Sequence, residues 1–363
     1  MINYNEILEK DELGRDEIRE LLAMNHEDAK LLFNKANDVK SKYVDKKTYF
    51  RGLVELSNYC AKNCLYCGIR KDNHELVRYI VSDEDVLKSV RFAWENNYAS
   101  VVIQSGELQS PAFTKRISSL IAQIMEMTNG EIGITLSLGE QTLDIYKEWH
   151  ELGARRYLLR IETSNRELYA KLHPNDELHD YDRRLQALRD LRQAGFQVGT
   201  GVMIGVPFQI LEHLVDDIIF MRDFDIDMCG MGPYIEHRST PLFEFSGTLL
   251  PLEERFFMTL KMIAVLRIIM KDINIAASTA MQASDKLGRE KALYAGANII
   301  MPNITPGVYR DFYKLYENKP CTDEQAEDCL NCIEARVTLA GDRVGWGEHG
   351  DSPHFKNRIH KDN

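Results

Sequence analysis

Short apolar runs alternate with charged, helix-like stretches along most of this chain of 363 residues. Eight of the runs have the length and composition of buried strands. They are residues 50–57, 99–106, 133–139, 156–163, 198–206, 228–235, 274–279 and 297–303. Helical spacing fills the intervals, as in residues 83–96, 116–127 and 182–194. Strand–helix alternation predicts an α/β fold with a parallel sheet, and eight units predict a closed (β/α)8 barrel of the TIM type; an open six-stranded partial barrel is the alternative.

Two boundaries divide the predicted structure. Residues 1–48 have helical spacing and predict an N-terminal helical cap. Residues 49–310 contain the eight runs and predict the barrel itself, and residues 311–363 form a C-terminal segment. Gly, His and charged residues dominate the tail after about Gly341, which predicts a loosely ordered end.

Composition and charge exclude several classes of protein. Hydrophobic residues make up 44% and charged residues 28%, which is typical of a globular chain with a large core. The formal net charge of -11 argues against a nucleic-acid surface. No apolar stretch of the sequence approaches the ~20 residues of a membrane span, and the acidic N-terminus is unlike a signal peptide. Seven cysteines in such a chain indicate metal binding rather than disulfides, so we expect a cytoplasmic, oxygen-poor location.

The most specific local motif is C-x3-C-x2-C, formed by Cys60, Cys64 and Cys67. It follows the first predicted strand, so the cysteines are expected at the mouth of the barrel, where active sites of this fold lie. A cubane iron–sulfur cluster normally takes four cysteines, so three leave one iron open to a ligand that is not protein. The alternative, a zinc site, would normally bring two C-x2-C pairs, and the sequence has no second pair nearby.

A second triad, C-x7-C-x2-C, consists of Cys321, Cys329 and Cys332 after the last predicted strand. It predicts a second iron–sulfur cluster, [2Fe-2S] or [4Fe-4S], with water or another ligand completing the set; zinc or no metal are the alternatives. Its position beyond the barrel strands argues against direct catalysis. Cys229, on the sixth predicted strand, is expected to be a small buried side chain.

The fourth predicted strand is expected to carry charge into the barrel. Side chains alternate along a strand. One face bears Arg156, Leu158, Arg160 and Glu162, and the other bears Tyr157, Leu159, Ile161 and Thr163. The apolar face suits the surrounding helices, so the charged face is expected to point into the lumen. Buried charges need partners or ligands, and the alternative is an internal Arg–Glu network that only fills the barrel.

Other strands place small or polar groups in the same lumen. Thr135 and Ser137 share one face of the third strand. Met203 shares a face of the fifth strand with three glycines, whose missing side chains leave room for a ligand or for close helix packing. Ser278 and Thr279 end the seventh strand, where they are either lumen hydroxyls or ordinary strand-end residues.

The run CAKNCLYC, with Tyr66 before its last cysteine, resembles the cluster-binding motif of radical S-adenosylmethionine (SAM) enzymes. Over most of residues 40–335 the chain resembles, more narrowly, the [FeFe]-hydrogenase maturase HydE family. The segments with this resemblance are ELSNYCAKNCLYCGIRKDN, VIQSGE, ITLSLGE, RRYLLRIETSN, GVPFQ, GPYIEHRSTPL, ASTAM and ANIIMPNITPGVYRDFYKLY. The C-terminal triad also resembles the second-cluster site of some members.

The resemblance implies roles for residues spread over the whole barrel. As catalytic metal ligands, Cys60, Cys64 and Cys67 would bind a [4Fe-4S] cluster. The residues expected to bind SAM are Tyr66, Gln104, Glu162, Arg184 and Met203. Those expected to line a lower cavity for substrate or anions are Thr135, Ser137, Arg156, Arg160, Ser278, Thr279, Met301 and Tyr316.

For the HydE family the implied activity is reductive cleavage of SAM to a 5′-deoxyadenosyl radical, acting on an iron–cysteine complex that carries CO and cyanide. The partner HydG would supply that complex, HydF would receive the product, and a ferredoxin or flavodoxin would supply electrons. Methylornithine synthase and biotin synthase are the nearest alternatives, although biotin synthase needs further barrel cysteines and only Cys229 is available. A non-catalytic iron–sulfur carrier or scaffold is the alternative from a different class.

Overall fold

The computed structural model describes residues 2–317 and 326–362, without the side chains of residues 326–332, 361 and 362. The elements of the first half are α1 (Tyr4–Leu8), α2 (Arg15–Ala23), α3 (Ala29–Val44), β1 (Lys47–Phe50), β2 (Gly52–Ser57), α4 (Asp83–Glu95), β3 (Ser100–Ser105), α5 (Pro111–Met127), β4 (Gly133–Ser137), α6 (Leu143–Glu151), β5 (Ala154–Leu158), α7 (Arg166–Leu172), α8 (Tyr181–Gln193), β6 (Gln197–Thr200) and β7 (Met203–Ile204). Those of the second half are α9 (Leu211–Asp223), β8 (Met228–Cys229), β9 (Gly232–Pro233), α10 (Leu252–Ile269), β10 (Asn274–Ile275), α11 (Thr279–Ser284), α12 (Gly288–Tyr294), β11 (Ile299–Ile300), α13 (Gly307–Arg310), α14 (Ala326–Leu339), β12 (Arg343–Val344) and α15 (Pro353–Asp362).

Capping side chains determine where several barrel helices begin. Each cap accepts a hydrogen bond from the backbone N–H three residues further on, a contact that stabilises a helix by about 1 kcal/mol. The caps are Ser82 of α4, Ser110 of α5, Thr142 of α6, Asn165 of α7 and Asp180 of α8. The apolar faces of these helices lie in the core, as Val86 and Val90 of α4 do. The capping residues and the buried apolar faces therefore both account for the layer of helices around the strands.

Seven strands form one parallel sheet in the order β2-β3-β4-β5-β6-β8-β10. The segment around β11 joins the two edges of this sheet. On one side, the backbone N–H of Arg51 donates to the carbonyl of Ile300, and β1 pairs with β11. On the other side, the N–H of Ala277 donates to the carbonyl of Ile299. The ring is thereby closed, which confirms the predicted (β/α)8 barrel and excludes the open six-stranded alternative.

All eight predicted strands are present, although most are shorter than predicted. The fifth and sixth predicted strands each break in two, giving β6 with β7 and β8 with β9. A side-chain carbon on Gly201 would lie 1.9 Å from the carbonyl oxygen of Gly230, so the two backbones approach more closely than any other residue would allow. Beyond this point β7 and β9 pair with each other in a separate two-stranded sheet.

The C-terminal tail differs from its expectation. Instead of being loosely ordered after Gly341, it forms β12, which pairs with β1, and α15. Between these elements the carbonyl of Gly350 accepts hydrogen bonds from Arg51 Nη2 at 3.1 Å and Asn274 Nδ2 at 2.8 Å. The tail therefore closes the base of the barrel, at the amino ends of the strands. Within the described ranges, none of the helices combines the length and hydropathy that a membrane crossing requires.

Candidate functional site at the barrel mouth

A cavity of about 320 Å³ opens at the carboxyl ends of the strands. Active sites of (β/α)8 barrels lie at this end. Cys60, Cys64 and Cys67, on the loop after β2, line one part of the cavity wall. Met301, which follows β11, lines this cavity and also a small cavity of about 30 Å³ beneath it. The space beside the cysteines thus extends down into the barrel lumen.

The loop that bears the cysteines, residues 60–67, is fixed by hydrogen bonds to the end of β3. The N–H of Ala61 donates to the carbonyl of Glu107 at 2.8 Å. In return, the N–H of Glu107 donates to Cys60 Sγ at 3.3 Å. Hydrogen bonds to cysteine sulfur stabilise metal-bound thiolate and influence the reduction potential of an iron–sulfur cluster.

The three thiols are free and partly exposed to the cavity. Burial raises the pKa of Cys64 to about 12 and also raises the pKa of Cys60 and of Cys67, so metal binding would remove their protons. Among the described residues, no three His, Cys, Asp or Glu side chains lie close enough to bind one metal ion. Three free thiols on one loop fit a cluster, whose cysteine ligands bind different irons.

Four buried charged side chains, one of them from the loop itself, contact one another beside the cysteines. Lys62, in the loop itself, has its Nζ 2.8 Å from Glu140 and 3.0 Å from Glu107. Arg184 of α8 contacts the same two carboxylates, at 2.7 Å and 3.2 Å. Burial alone would lower the pKa of Arg184, but these two carboxylates hold that pKa well above its usual value. We call Lys62, Glu107, Glu140 and Arg184 the charge ring.

Two histidines hold the other side of the loop. The N–H of Asn63 donates to Nε2 of His179 at 2.9 Å. Since Nε2 accepts this bond, the proton of neutral His179 lies on Nδ1, which is 2.6 Å from Asp176. His173 Nε2 lies 3.3 Å from the Tyr66 hydroxyl, and burial lowers the pKa of His173 to about 3, which keeps this ring neutral. His173 Nδ1 lies 2.9 Å from the Tyr169 carbonyl and carries the ring proton, so Nε2 accepts a hydrogen bond from the Tyr66 hydroxyl.

Comparison with known proteins identifies the family of this chain. Residues 54–221 match the Radical SAM superfamily. The [FeFe] hydrogenase maturase subunit HydE of Thermotoga maritima is 40% identical over 347 residues, which cover 94% of this chain and 95% of that protein. The chain belongs to the HydE family of radical SAM enzymes. Membership of this family implies a [4Fe-4S] cluster and SAM as cofactors.

More distant relatives show how widely the HydE barrel is shared. The 3-methylornithine synthase of Methanosarcina barkeri is 25% identical over 83% of each chain. The crystal structure of methylornithine synthase (PylB) has a TM-score of 0.78 at 23% identity and covers 95% of this chain and 97% of its own. The crystal structure of HydG also has a TM-score of 0.78 at 23% identity, covering 94% of this chain and 76% of its own. At this identity the two structures support the fold alone.

The residues that the HydE resemblance assigns to SAM lie together. Tyr66, Gln104, Glu162, Arg184 and Met203 all line the cavity. Glu162 has a φ of 67°, a left-handed conformation that is rare for this residue type. Burial raises the pKa of Glu162, and Arg160 contacts its carboxylate at 3.0 Å. The grouping is as expected for one binding site, and the individual roles remain predictions.

The eight predicted substrate residues fall into two groups. Six of them line the cavity beside the cysteines: Ser137, Arg160, Ser278, Thr279, Met301 and Tyr316. Thr135 and Arg156 do not line it. Thr135 lines the small cavity beneath, and its Oγ1 accepts a hydrogen bond from Arg156 Nε at 2.9 Å. Both residues therefore belong to the base of the barrel rather than to the mouth.

The placement of Arg156 has a plain geometric reason. Arg156 and Arg160 share a face but stand four residues apart, which is about 13 Å along an extended strand. The guanidinium of Arg156 turns toward the base, where Gly133 has no side chain to obstruct it and Asp351 lies 2.5 Å from Nη1. The alternation of side chains along the strand correctly predicted that both arginines face the lumen. Their different positions along the strand place Arg156 at the base and Arg160 at the mouth.

The remaining cysteines have different outcomes. Cys229 is buried in the barrel, as predicted, with its Sγ 3.6 Å from the sulfur of Met221. Cys321 lies outside the described residues, and the side chains of Cys329 and Cys332 on α14 are likewise not described. The second iron–sulfur site stays a prediction.

Several residues of the site had no assigned role in the sequence. These are Lys62, Glu140, His173 and His179, together with the side chain of Glu107. Two of them left a signal: Glu107 and Glu140 each follow a Gly soon after a barrel strand, in SGE after β3 and LGE after β4. Matching acidic residues at neighbouring strand ends predict a shared partner at the mouth. His173 and His179 belong to no recognisable sequence motif, so the local sequence does not predict their contacts with the cluster loop.

Proposed function

We propose that this enzyme cleaves SAM reductively at a [4Fe-4S] cluster held by Cys60, Cys64 and Cys67, and that the 5′-deoxyadenosyl radical acts in maturation of the [FeFe]-hydrogenase active site. The observation that supports this most directly is the shared cavity. The three cysteines, an inward-facing Glu162 and an inward-facing Arg160 line one space of about 320 Å³, in a chain 40% identical to a HydE maturase. The proposal includes a cytoplasmic location.

The donor set fits the implied cofactors. Three free thiols on one loop suit a cluster with one open iron. When bound and reduced, the cluster supplies one electron to SAM, which breaks the S–C5′ bond and releases methionine and the adenosyl radical. In the proposed site Glu162 and Arg184 hold the polar groups of SAM, with Tyr66, Gln104 and Met203 beside them.

The chain itself must position the reactants and keep water away. A cavity that extends down into the barrel lumen limits side reactions of a radical and fixes the target atom near its source. Tyr66 is oriented by its hydrogen bond to His173, and Glu162 by Arg160. Buried, oriented groups of this kind bind a cofactor without reorganising when it arrives.

The proposed substrate is an organometallic complex of iron and cysteine with CO and cyanide ligands. Arg160, Ser278 and Thr279 would hold its anionic groups through charge-assisted and hydroxyl hydrogen bonds, with Ser137, Met301 and Tyr316 completing the wall. HydG would make the complex, HydF would receive the product, and a ferredoxin or flavodoxin would deliver the electron. A second cluster on the C-terminal triad, [2Fe-2S] or [4Fe-4S], remains part of the proposal.

Methylornithine synthase and biotin synthase chemistry are the alternative reactions. Biotin synthase activity is disfavoured because the barrel offers one further cysteine, Cys229, which is buried against Met221 and does not line the main cavity. Methylornithine synthase shares the barrel, but its sequence identity of 25% is lower than that of the HydE relative.

The experiment is anaerobic reconstitution with iron and sulfide, followed by reduction in the presence of SAM and chromatography for 5′-deoxyadenosine. The wild type is compared with Cys64→Ala, and Cys229→Ala is the matched control because that cysteine lies outside the loop. We expect cleavage in the wild type and the control and none in Cys64→Ala. A loaded, reducible wild type that never cleaves SAM, with or without the iron complex, would favour a carrier. Formation of methylornithine or biotin would instead favour one of the two other syntheses.

A further inference from the structure

The charge ring connects the cluster loop to the part of the site expected to bind SAM. Lys62 lies between two cysteines of the motif, and its side chain is 4% exposed. Its Nζ lies between the carboxylates of Glu107 and Glu140, which are 10% and 2% exposed. Arg184, on the opposite side, contacts both carboxylates as well. Within the ring, each cation thus has two anionic partners, and each anion has two cationic partners.

Glu140 is the most enclosed member of the ring and makes the most contacts. It accepts from Lys62 Nζ at 2.8 Å and Arg184 Nε at 2.7 Å, and Arg183 Nε lies 3.3 Å from its second oxygen. Gly139, just before it, has a φ of 78°, and a side-chain carbon there would lie 2.1 Å from Cγ of Glu107, so the turn after β4 brings both carboxylates together. Substitution at Glu140 therefore changes the whole ring.

One residue of the ring also contacts a thiol through its backbone. Glu107 contributes its carboxylate to the ring, while its backbone N–H donates to Cys60 Sγ at 3.3 Å. Lys62 is two residues from both Cys60 and Cys64. A change of charge in the ring therefore alters the electrostatic potential at the cysteine sulfurs. It can also move the Glu107 backbone N–H that donates to Cys60 Sγ.

The charges of the four ring side chains balance, and Arg183 contacts Glu140 from outside the ring with its side chain 42% exposed. Lys62 and Arg184 supply two positive charges, and Glu107 and Glu140 supply two negative ones. Buried charges are screened much less than exposed ones. The potential of an iron–sulfur cluster depends on net charge nearby and on hydrogen bonds to its sulfurs. A balanced ring fixes the loop mechanically without adding net charge beside the cluster.

We propose that the charge ring is a positioning device that sets the reduction potential of the cluster, with Lys62 and Glu140 as its positioning residues. This inference rests on the proposed [4Fe-4S] site. The step concerned is the one-electron reduction of the cluster from the 2+ to the 1+ state, with the electron supplied by a low-potential one-electron carrier. A positive charge near the cluster favours this reduction, and a negative charge opposes it.

The two residues predict shifts of opposite sign. Glu140→Gln removes one negative charge and keeps a similar shape, leaving the ring with a net positive charge. We expect the equilibrium constant for cluster reduction to rise about tenfold, which is about 59 mV for a one-electron couple. Lys62→Met removes one positive charge, and the same constant should fall by a similar factor. The double variant restores the balance, so its potential should return close to that of the wild type.

The measurement is a redox titration of the reconstituted enzyme, followed by the electron paramagnetic resonance signal of the reduced cluster, with iron and sulfide counted per chain. Glu84→Gln and Lys88→Met provide matched controls, because this pair makes the same kind of contact on an exposed helix face, at 2.7 Å. The controls should leave the potential unchanged. If Glu140→Gln holds no cluster, Glu107→Gln makes the same change of charge and has the same expected shift.

Shifts of opposite sign that cancel in the double variant support the ring, because a role in folding alone would not give a signed, cancelling response. Shifts of the same sign, or single variants with the wild-type potential, overturn it. The two proposals fail differently. A wild type that takes up no cluster contradicts the proposed function, whereas a wild type with a reducible cluster and unmoved variants contradicts the ring alone.

Discussion

The mouth and the base of this barrel both bury charged residues, but they balance and cover them differently. At the mouth, the charge ring has two cations and two anions and borders an open cavity. At the base, the C-terminal tail supplies one carboxylate, that of Asp351, which pairs with Arg156 and also attracts the charge of Arg51. The mouth can therefore receive a charged ligand without rearranging its pairs, whereas the base depends on a distant part of the chain.

Both sites leave buried polar atoms without a hydrogen-bond partner. Within the described part of the chain these include Arg51 Nε and Arg156 Nη2 at the base, and Glu107 Oε1 and Glu140 Oε2 at the mouth. The two carboxylate oxygens at the mouth nevertheless lie 3.0 and 3.3 Å from cationic nitrogens. Burial lowers the pKa of Arg51 well below its usual value, with the charge of Arg156 as the next cause. A buried cation of this kind costs free energy unless a nearby anion offsets it. The tail supplies that anion, so we expect it to affect stability more than chemistry.

Removal of the tail is the strongest test of this contrast. A chain that ends after Gly347 loses the Gly350 carbonyl, the Asp351 carboxylate and the contacts of Arg358 with Asp227. We expect the free energy of unfolding to fall by about 5 kcal/mol, a large share of the 5–15 kcal/mol typical of a domain. Thermal unfolding of the cluster-free chain measures it. A control that ends after Ile359 keeps all of these contacts, and equal melting temperatures for the two truncations would contradict the role of the tail.

At the mouth, Glu162→Gln should affect ligand binding and leave stability nearly unchanged. A hydrogen bond to a charged group contributes about 1.5–3 kcal/mol, so 5′-deoxyadenosine formation at low SAM concentration should fall about 10- to 100-fold. The melting temperature should stay within about 2 °C of the wild type. Glu167→Gln, on the exposed first turn of α7, is the control. A large loss of stability with normal SAM cleavage would place Glu162 among the structural charges instead.

The contrast also explains which features the sequence predicted. Alternation identified Arg156 and Arg160 as lumen residues, because the strand period is a local property. Their separation into base and mouth depends on where the strand begins and on Gly133, which lies on another strand. The tail appeared unstructured because its composition says nothing about the two arginines that it covers. Contacts between distant segments decide all three outcomes.

The charge ring was hidden for the same reason. Its members come from four segments: the cluster loop, the ends of β3 and β4, and α8. The cysteine motif was visible because metal ligation requires a fixed spacing within one short run. The ring requires only that four side chains meet, and any spacing in sequence satisfies that. Family resemblance named Arg184 as a SAM contact but said nothing of its two carboxylate partners.

A buried carboxylate near the mouth provides a test through pH. Asp217 of α9 accepts hydrogen bonds from the N–H and the hydroxyl of Ser164, close to Glu162, at 2.6 and 2.7 Å. Burial raises the pKa of Asp217 to about 7 from its usual 3.8. A raised pKa means that stability is present at low pH and is lost as the pH rises from about 4 to about 7. The wild type should therefore lose about 2–3 kcal/mol between pH 5 and pH 8 through this group.

Asp217→Asn keeps an acceptor for Ser164 but cannot ionise, so that part of the pH dependence should disappear. Urea unfolding at pH 5 and pH 8 measures the difference in both proteins. Asp216→Asn, which removes a half-exposed carboxylate paired with Arg15, controls for the general effect of charge on the same helix. Equal pH dependence in the wild type and in Asp217→Asn would show that the carboxyl titrates alike in the folded and unfolded chain.

The base predicts a smaller effect with the opposite sign. Burial alone would raise the pKa of Asp351. The charge of Arg156 and a hydrogen bond from Gln197 nevertheless hold that pKa below its usual value. A lowered pKa means that stability is present above about pH 4 and is lost as the pH falls through the folded-state value. Asp351→Asn removes the charge at every pH, so it should cost about 1–2 kcal/mol at pH 7 and progressively less toward pH 3.

The size is modest because a quarter of the Asp351 side chain is exposed and water screens part of its attraction to Arg156. Urea unfolding of the wild type and of Asp351→Asn between pH 7 and pH 3 measures it, with Asp362→Asn at the far end of α15 as a control. The two curves should converge on the acid side, whereas the Asp217 curves should separate on the alkaline side. Convergence at both sites, or at neither, would mean that mouth and base do not differ in the way their carboxylates are held. Opposite pH responses would show that the balanced mouth tolerates a buried acid in its neutral form, while the cation-rich base requires the acid in its charged form.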